Sequence, residues 1–137
     1  WPTPDPIVMD YPNVAEEQPY IYRITRLGVL ASLYGKDLQY VCNVSKLIWD
    51  GNTIGWDKDS YLKNTLKSIG LNLGTMEKEI IDREEELEQI ILKNENDLRE
   101  TGHWGVPLFG FKNEPFFGQD RIDLLLWRLK QHGLKEK

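Results

Sequence analysis

One proline constrains the second half of this chain more than any other residue. Pro107 comes directly before a short apolar run, Leu108 to Phe111, and has no amide hydrogen to give to a sheet. A proline is therefore tolerated only at the first residue of a strand or on a sheet edge, and its peptide bond is the one linkage at which the cis form is common. If the Val106–Pro107 bond is cis, the N–H and C=O of Val106 turn outward, where an extended ligand can pair with them.

The residues after Pro107 predict a small β-hairpin and a helix. Two short strand-like runs, Leu108 to Phe111 and Glu114 to Gly118, are separated by a tight turn, and Gln119-Asp120-Arg121 places an acid at the start of a leucine-rich helix. A unit of this kind can hold an extended, peptide-like ligand. The residues by themselves also fit a trans proline at the start of an edge strand. This alternative is the commoner one, because only about 5–6% of X-Pro bonds in folded proteins are cis.

Composition argues against two classes of partner. The formal net charge is -5, whereas a nucleic-acid-binding surface normally carries an excess of basic residues. No apolar run approaches the roughly 20 residues that cross a membrane, and no basic and then apolar leader is present. The 137 residues suffice for one domain with a buried core. We therefore expect a cytoplasmic protein without a nucleic-acid or membrane partner.

The chain has few residues suited to redox or metal chemistry. Cys42 is the only cysteine, so the chain has no internal disulfide and no Cys-x-x-Cys redox pair. Its place in an apolar-periodic segment predicts a packed helix residue. His103 and His132 are far apart in sequence and belong to no cluster with metal-ligand spacing, so we expect no metal site.

Three regions can be distinguished along the chain. Residues 1–19 contain five of the seven prolines and predict an extended connector. The chain opens on Trp1 and not on Met, which we interpret as a start inside a larger protein. Residues 20–101 predict a helical block, because apolar residues recur every three or four positions. Residues 102–137 hold the hairpin and the last helix, and a two-stranded hairpin is marginal unless further strands join its sheet.

The helical block divides into five predicted helices, at about 19–34, 36–49, 56–69, 75–81 and 83–101. Capping residues predict where they begin: Asp57 or Asp59 for the third helix and Thr75 for the fourth. Asp82, with Glu85 three residues later, has the pattern of a capping box at the start of the fifth.

The motif around Pro107 resembles a known family. Gly105-Val106-Pro107, the hairpin, and Phe117-Gly118-Gln119-Asp120-Arg121 before a leucine-rich helix resemble the C-terminal part of the DsbA-like thioredoxin-fold superfamily. The narrower similarity is to the branch of 2-hydroxychromene-2-carboxylate isomerases and kappa-class glutathione transferases, in which the proline of this motif is cis. The resemblance implies an α/β thioredoxin-like fold with an all-helical insertion. This chain would hold the helical block, the hairpin and the last helix, and we expect the N-terminal βαβ unit of that fold to lie outside it.

The resemblance also implies a glutathione site. Val106 would pair through its main chain with the cysteinyl part of glutathione, next to cis Pro107, and Gln119 and Asp120 would hold the γ-glutamyl end. Simple electrostatics agree, because the N–H groups at a helix start attract a carboxylate and an aspartate there can accept from an ammonium group. The alternative role for Asp120 is the N-cap of the last helix. Trp104 either forms the wall of a substrate site or packs the loop into the core.

Other residues near the site have alternative roles as well. His103 is either a proton carrier or, more commonly for a loop histidine, a hydrogen-bonded structural residue. Arg121 fits an ion-pair partner better than a catalytic group. The family usually has threonine directly after the cis proline, and this chain has Leu108 there, which removes a hydroxyl near the ligand.

The function that the resemblance implies is a glutathione-dependent isomerase or transferase acting on a small aromatic or electrophilic substrate, as a homodimer. No catalytic residue falls within this chain, because the family's catalytic serine lies in the N-terminal unit. Two alternatives remain open. One is a DsbA-like thiol-disulfide oxidoreductase whose Cys-x-x-Cys motif lies outside the chain, and the other is a non-catalytic module that binds extended peptides.

Overall fold

Helices make up most of the described part of the chain, which in this computed structural model comprises residues 19–50, 53, 55–57, 60–103 and 105–135. The six described α-helices and one antiparallel hairpin occur in this order: α1 (Pro19–Leu33), α2 (Asp37–Trp49), α3 (Tyr61–Ser68), α4 (Leu73–Asp82), α5 (Glu84–Glu100), β1 (Leu108–Phe111), β2 (Glu114–Phe117), a 3-10 turn (Gln119–Arg121) and α6 (Ile122–Gln131). The predicted connector, residues 1–19, lies outside the described residues except for Pro19, at which α1 begins. None of the described helices is long and apolar enough to cross a membrane.

Contacts divide the chain into two compact units, with the boundary between Ile90 and Ile91 inside α5. We refer to the part up to Ile90 as the helical unit and to the part from Ile91 as the hairpin unit. The combination of helices with a small antiparallel sheet is consistent with the α/β class predicted from the sequence. The thioredoxin-like arrangement within that class stays a prediction.

The core of the helical unit forms between α1, α2, α3 and α4. Leu27 and Leu30 on α1 are three residues apart and fully buried, so they lie on the inward face of this helix. Gly28 beside them leaves room for the ring of Tyr40 on α2, since a β-carbon there would lie 3.1 Å from Tyr40 Cε1. The remaining buried residues of this core are Ala31, Val44, Ile48, Trp56, Leu62, Leu66, Leu71 and Met76.

The predicted start of α3 is wrong. The helix begins at Tyr61, and Ser60 occupies the N-cap position without a side-chain cap, where the sequence predicts Asp57 or Asp59. Trp56 lies in a turn before the helix, and its fully buried indole is part of the core. Burial of this large side chain, which is a tertiary effect, outweighs the local capping signal.

The N-cap of α4 lies three residues earlier than predicted. Leu73 is the first residue of the helix, and Asn72 holds the N-cap position that the sequence assigns to Thr75. Asn72 Oδ1 accepts a hydrogen bond from the N–H of Thr75 at 3.0 Å. Thr75 is therefore the residue that is capped.

The residue predicted to cap α5 does not do so. Asp82 is the last residue of α4, and α5 begins at Glu84. Arg83 is the single residue between α4 and α5. Its guanidinium donates hydrogen bonds to Glu79 at 2.6 Å and to Glu86 at 2.7 Å. The arginine lowers the pKa of the Glu86 carboxyl by hydrogen bonding to its charged form.

Cys42 is exposed, so the prediction of a packed residue is wrong. α2 buries Tyr40, Val44 and Ile48, which recur every four residues along one face. Cys42 lies midway between the first two of these residues and therefore projects from a different side of the helix.

Two tyrosines of the helical unit differ in what their hydroxyl groups contact. The hydroxyl of Tyr40 donates to the carbonyl oxygen of Ile24 at 2.7 Å, which connects α2 to α1, and burial raises its pKa. The hydroxyl oxygen of Tyr20 on α1 is buried and has no hydrogen-bond partner among the described residues. The Tyr20 ring meets Trp56 edge to face, with centroids 5.5 Å apart. A paired buried hydroxyl contributes to stability, whereas an unpaired one reduces it.

Removing each hydroxyl tests this difference. Tyr40→Phe deletes the bond to Ile24, and we expect the free energy of unfolding to fall by about 1–2 kcal/mol. Tyr20→Phe deletes a hydroxyl that has no partner among the described residues, so the free energy of unfolding should stay the same or rise by up to about 1 kcal/mol. Urea denaturation of both variants and the parent protein measures these changes. An equal loss in the two variants would contradict the difference between the two hydroxyls.

Candidate ligand-binding site

A two-residue turn sets the register of the hairpin. Lys112 and Asn113 both have positive φ, 51° and 65°, as a type I′ turn requires, and asparagine is favoured in such turns. The strand partners are Phe111 with Glu114, Gly110 with Pro115, Phe109 with Phe116 and Leu108 with Phe117. Both predicted strands are confirmed, and β2 ends one residue before the predicted Gly118.

Hydrogen bonding makes the two edges of the hairpin different. The N–H of Gly118 donates to the carbonyl oxygen of Pro107 at 2.9 Å. Because hydrogen-bonded and non-hydrogen-bonded pairs alternate along an antiparallel ladder, Gly110 and Pro115 direct their main-chain groups away from each other, toward the outer edges. Pro115 has no N–H and interrupts the β2 edge, whereas Leu108 and Gly110 give the β1 edge both donors and acceptors. A further strand or an extended ligand can therefore pair fully only with the β1 edge.

α6 covers one face of the hairpin. Phe111 and Glu114 are direct partners across the strands and project on this face. The guanidinium of Arg128 on α6 donates to the two carboxylate oxygens of Glu114, at 2.8 and 2.7 Å. The ring of His132 lies 5.3 Å from the ring of Phe111. These contacts hold α6, and with it the 3-10 turn at its start, against the sheet.

The opposite face carries His103 stacked on Phe117. The two rings are nearly parallel, at 23°, with centroids 4.1 Å apart. Gly105 is buried against the same phenylalanine, and a β-carbon at Gly105 would come within 2.7 Å of Phe117 Cζ. The N–H of Gly105 donates to His103 Nδ1 at 2.9 Å. This packing therefore requires glycine at position 105.

Alanine substitution at Gly105 tests the contact with Phe117. The added β-carbon overlaps the ring, so we expect Gly105→Ala to destabilise the hairpin unit by about 1–3 kcal/mol. Gly110→Ala is the matched control, because its β-carbon would lie 3.7 Å from Thr101 Cγ2, an ordinary contact distance. Amide hydrogen exchange at Phe109 and Phe116 reports the stability of the hairpin unit. Equal exchange rates in the two variants would contradict the assigned packing.

Val106 offers an unpaired main chain directly before β1. The residue is 75% exposed, and its N–H and C=O have no hydrogen-bond partner in the described part of the chain. The Val106–Pro107 peptide bond is cis, as the resemblance implies. Hydrogen bonds occupy the N–H of Gly105 and the carbonyl oxygen of Pro107 on either side, so Val106 alone keeps both main-chain groups open to a ligand.

The start of the last helix lies beside Pro107, because Gly118 donates to the Pro107 carbonyl oxygen. Gly118 has φ of 94°, a conformation that favours glycine, and a β-carbon on residue 118 would clash with Oδ1 of Asp120. The side chain of Asp120 is 74% exposed, with Arg121 Nε at 3.6 Å. Arg121, and not Asp120, is the N-cap residue of α6, so the alternative role predicted for Asp120 is wrong. Its carboxylate remains open to solvent.

The structure brings the two predicted segments of the site together. Val106 and Pro107 lie on one side of the Gly118 hydrogen bond, and Gln119 and Asp120 follow it on the other. The first N–H groups of a helix have no partner within it and lie at the positive end of its dipole. The site therefore combines an open main chain, free amide donors and one exposed carboxylate.

Three other residues complete the description of this site. Trp104, the predicted substrate-wall candidate, lies outside the described residues. His103 is hydrogen-bonded to the loop, which matches the structural one of its two predicted roles. Phe117 is a contact residue that sequence reasoning missed. Strand alternation places it on the face opposite Phe116, but no local signal shows that this face receives the loop.

No group of three or more His, Cys, Asp or Glu side chains in the described part of the chain is arranged to hold a metal ion. No protein-family model, curated protein or solved structure matches the chain. Functional assignment therefore depends on the geometry of this site and on the motif around Pro107.

Proposed function

We propose that the hairpin unit is the glutathione-holding half of a glutathione-dependent isomerase or transferase, of the 2-hydroxychromene-2-carboxylate isomerase and kappa glutathione transferase type. The observation that carries the proposal is the hydrogen bond from Gly118 to Pro107. It keeps the open main chain of Val106 next to the helix start that carries Gln119 and Asp120. A tripeptide with a charged γ-glutamyl end needs both features side by side.

Two parts of glutathione, the cysteinyl residue and the γ-glutamyl end, have a chemical counterpart in this site. The N–H and C=O of its cysteinyl residue pair with the C=O and N–H of Val106, in the manner of strand addition. The α-carboxylate of the γ-glutamyl end binds the free N–H groups at the start of the 3-10 turn, with the side chain of Gln119 beside it. The α-ammonium group binds the exposed carboxylate of Asp120. Glutathione is therefore oriented by its main chain and both charges of its γ-glutamyl end.

The chemistry itself needs a group from outside this chain. In the proposed enzyme, a serine of the N-terminal βαβ unit stabilises the glutathione thiolate, which then attacks a small aromatic or electrophilic substrate. The asymmetry of the hairpin edges supports such a unit, because the β1 edge can accept a further strand and Pro115 interrupts the β2 edge. The proposed fold is accordingly thioredoxin-like, and the proposed active form is a homodimer.

Glutathione binding to the intact protein, measured by calorimetry, tests the proposal. We expect binding by the parent protein and an affinity about tenfold lower for Asp120→Asn, because the variant loses a charge-assisted contact with the α-ammonium group. Asp123→Asn is the matched control, since Asp123 is an exposed acid in the first turn of α6 and has no assigned contact with glutathione.

Three results would count against the proposed function. Absence of binding to the intact protein would rule the proposal out. Equal affinity for glutathione and for unrelated extended peptides, with no effect of Asp120→Asn, would favour the non-catalytic peptide-binding module. A Cys-x-x-Cys motif in the rest of the protein, with disulfide exchange activity, would favour the thiol-disulfide oxidoreductase.

A further inference from the structure

His103 contacts the loop before β1 in two ways. Its Nδ1 accepts the N–H of Gly105 at 2.9 Å, and its ring stacks on Phe117 with centroids 4.1 Å apart. The half-buried imidazole and the buried Gly105 both pack on the Phe117 ring. His103 therefore fixes both the position and the direction of the Gly105 amide.

The hydrogen bond determines which imidazole nitrogen carries the proton. An amide N–H can only be accepted by a ring nitrogen with a free lone pair, so Nδ1 is unprotonated in this arrangement. The tautomer is assigned from the hydrogen bond, with the proton of the neutral ring on Nε2. His103 thus accepts a hydrogen bond from the loop. Phenylalanine, which has a ring but no hydrogen-bond acceptor, cannot do this.

One hydrogen bond holds each end of the three-residue loop Gly105–Val106–Pro107. The Gly105 N–H is bound by His103, and the Pro107 carbonyl oxygen is bound by the N–H of Gly118. Val106 lies between these two bonds, and its own main-chain groups remain open. With both neighbours held, its N–H and C=O lose little further freedom when they pair with a ligand, which lowers the entropic cost of binding.

We infer that His103 is a positioning residue of this site, which holds the main chain of Val106 in the orientation that pairs with the ligand by accepting the Gly105 N–H. This role rests on the proposed glutathione function for its ligand, but the hydrogen bond itself is a property of the free protein. It can therefore be measured with and without glutathione.

Two variants of His103 separate the acceptor from the stacked ring. In His103→Asn the side-chain oxygen can accept the N–H two residues later, as asparagine does in an Asx turn, while the ring is lost. In His103→Phe a ring remains to stack on Phe117, while the acceptor is lost. If the hydrogen-bond acceptor positions the loop, asparagine at position 103 keeps the function of histidine and phenylalanine loses it.

The free protein gives the first readout. We expect exchange of the Gly105 amide hydrogen to be about tenfold faster in His103→Phe than in the parent protein, and close to the parent rate in His103→Asn. A tenfold change corresponds to about 1.4 kcal/mol, which is within the range for a buried donor that loses its acceptor. Equal exchange in both variants would overturn the inference. This result does not depend on glutathione, so it holds even if the intact protein fails to bind glutathione.

The second readout is glutathione affinity by calorimetry. We expect about a tenfold loss in His103→Phe and a change of no more than about twofold in His103→Asn. Parent-like affinity in His103→Phe, or an equal loss in both variants, would overturn the positioning role. Lack of binding in the parent protein overturns the proposed function instead, and the exchange of the Gly105 amide then decides whether the loop is held by His103.

Discussion

The hydrogen bond between Gly118 and Pro107 organises the hairpin unit. It continues, beyond the strands, the alternation of bonded and unbonded pairs that the two-residue turn sets. The same bond brings the start of the last helix to the loop that carries Val106. The open main chain belongs to Val106, whereas the amide donors and the exposed carboxylate of Asp120 belong to the helix start. This one hydrogen bond joins the two segments.

Both faces of the hairpin support this arrangement, each by different chemistry. On one face, the paired hydrogen bonds between Arg128 and Glu114 hold α6 in place. On the other face, His103 and Gly105 both pack on Phe117, and the imidazole accepts the N–H of Gly105. A site made of main-chain groups needs such support, because its precision depends on backbone position more than on side-chain rotamers.

The hairpin unit also exposes apolar surface. On α6, Ile122 and Leu126 are each 41% exposed, and Trp127 is 53% exposed. Together with an open β1 edge, this surface favours additional strands and a covering layer beside the hairpin, since sheets and amphipathic helices need a partner on their apolar side. The N-terminal βαβ unit of the proposed function would supply both.

The amino-acid sequence alone determined the element types and the hairpin. Apolar periodicity predicts the helices, and two short strand-like runs predict a hairpin with a tight turn. Pro107 is tolerated only where the sheet needs no N–H donor. These are local properties of backbone and side chain. Tertiary structure decided the rest, because it depends on contacts between residues far apart in the chain. Trp56 is buried in a turn where the sequence predicts a helix start, and Cys42 is exposed. The bond from Gly118 to Pro107, which no local pattern reveals, brings the four predicted site residues into one candidate site.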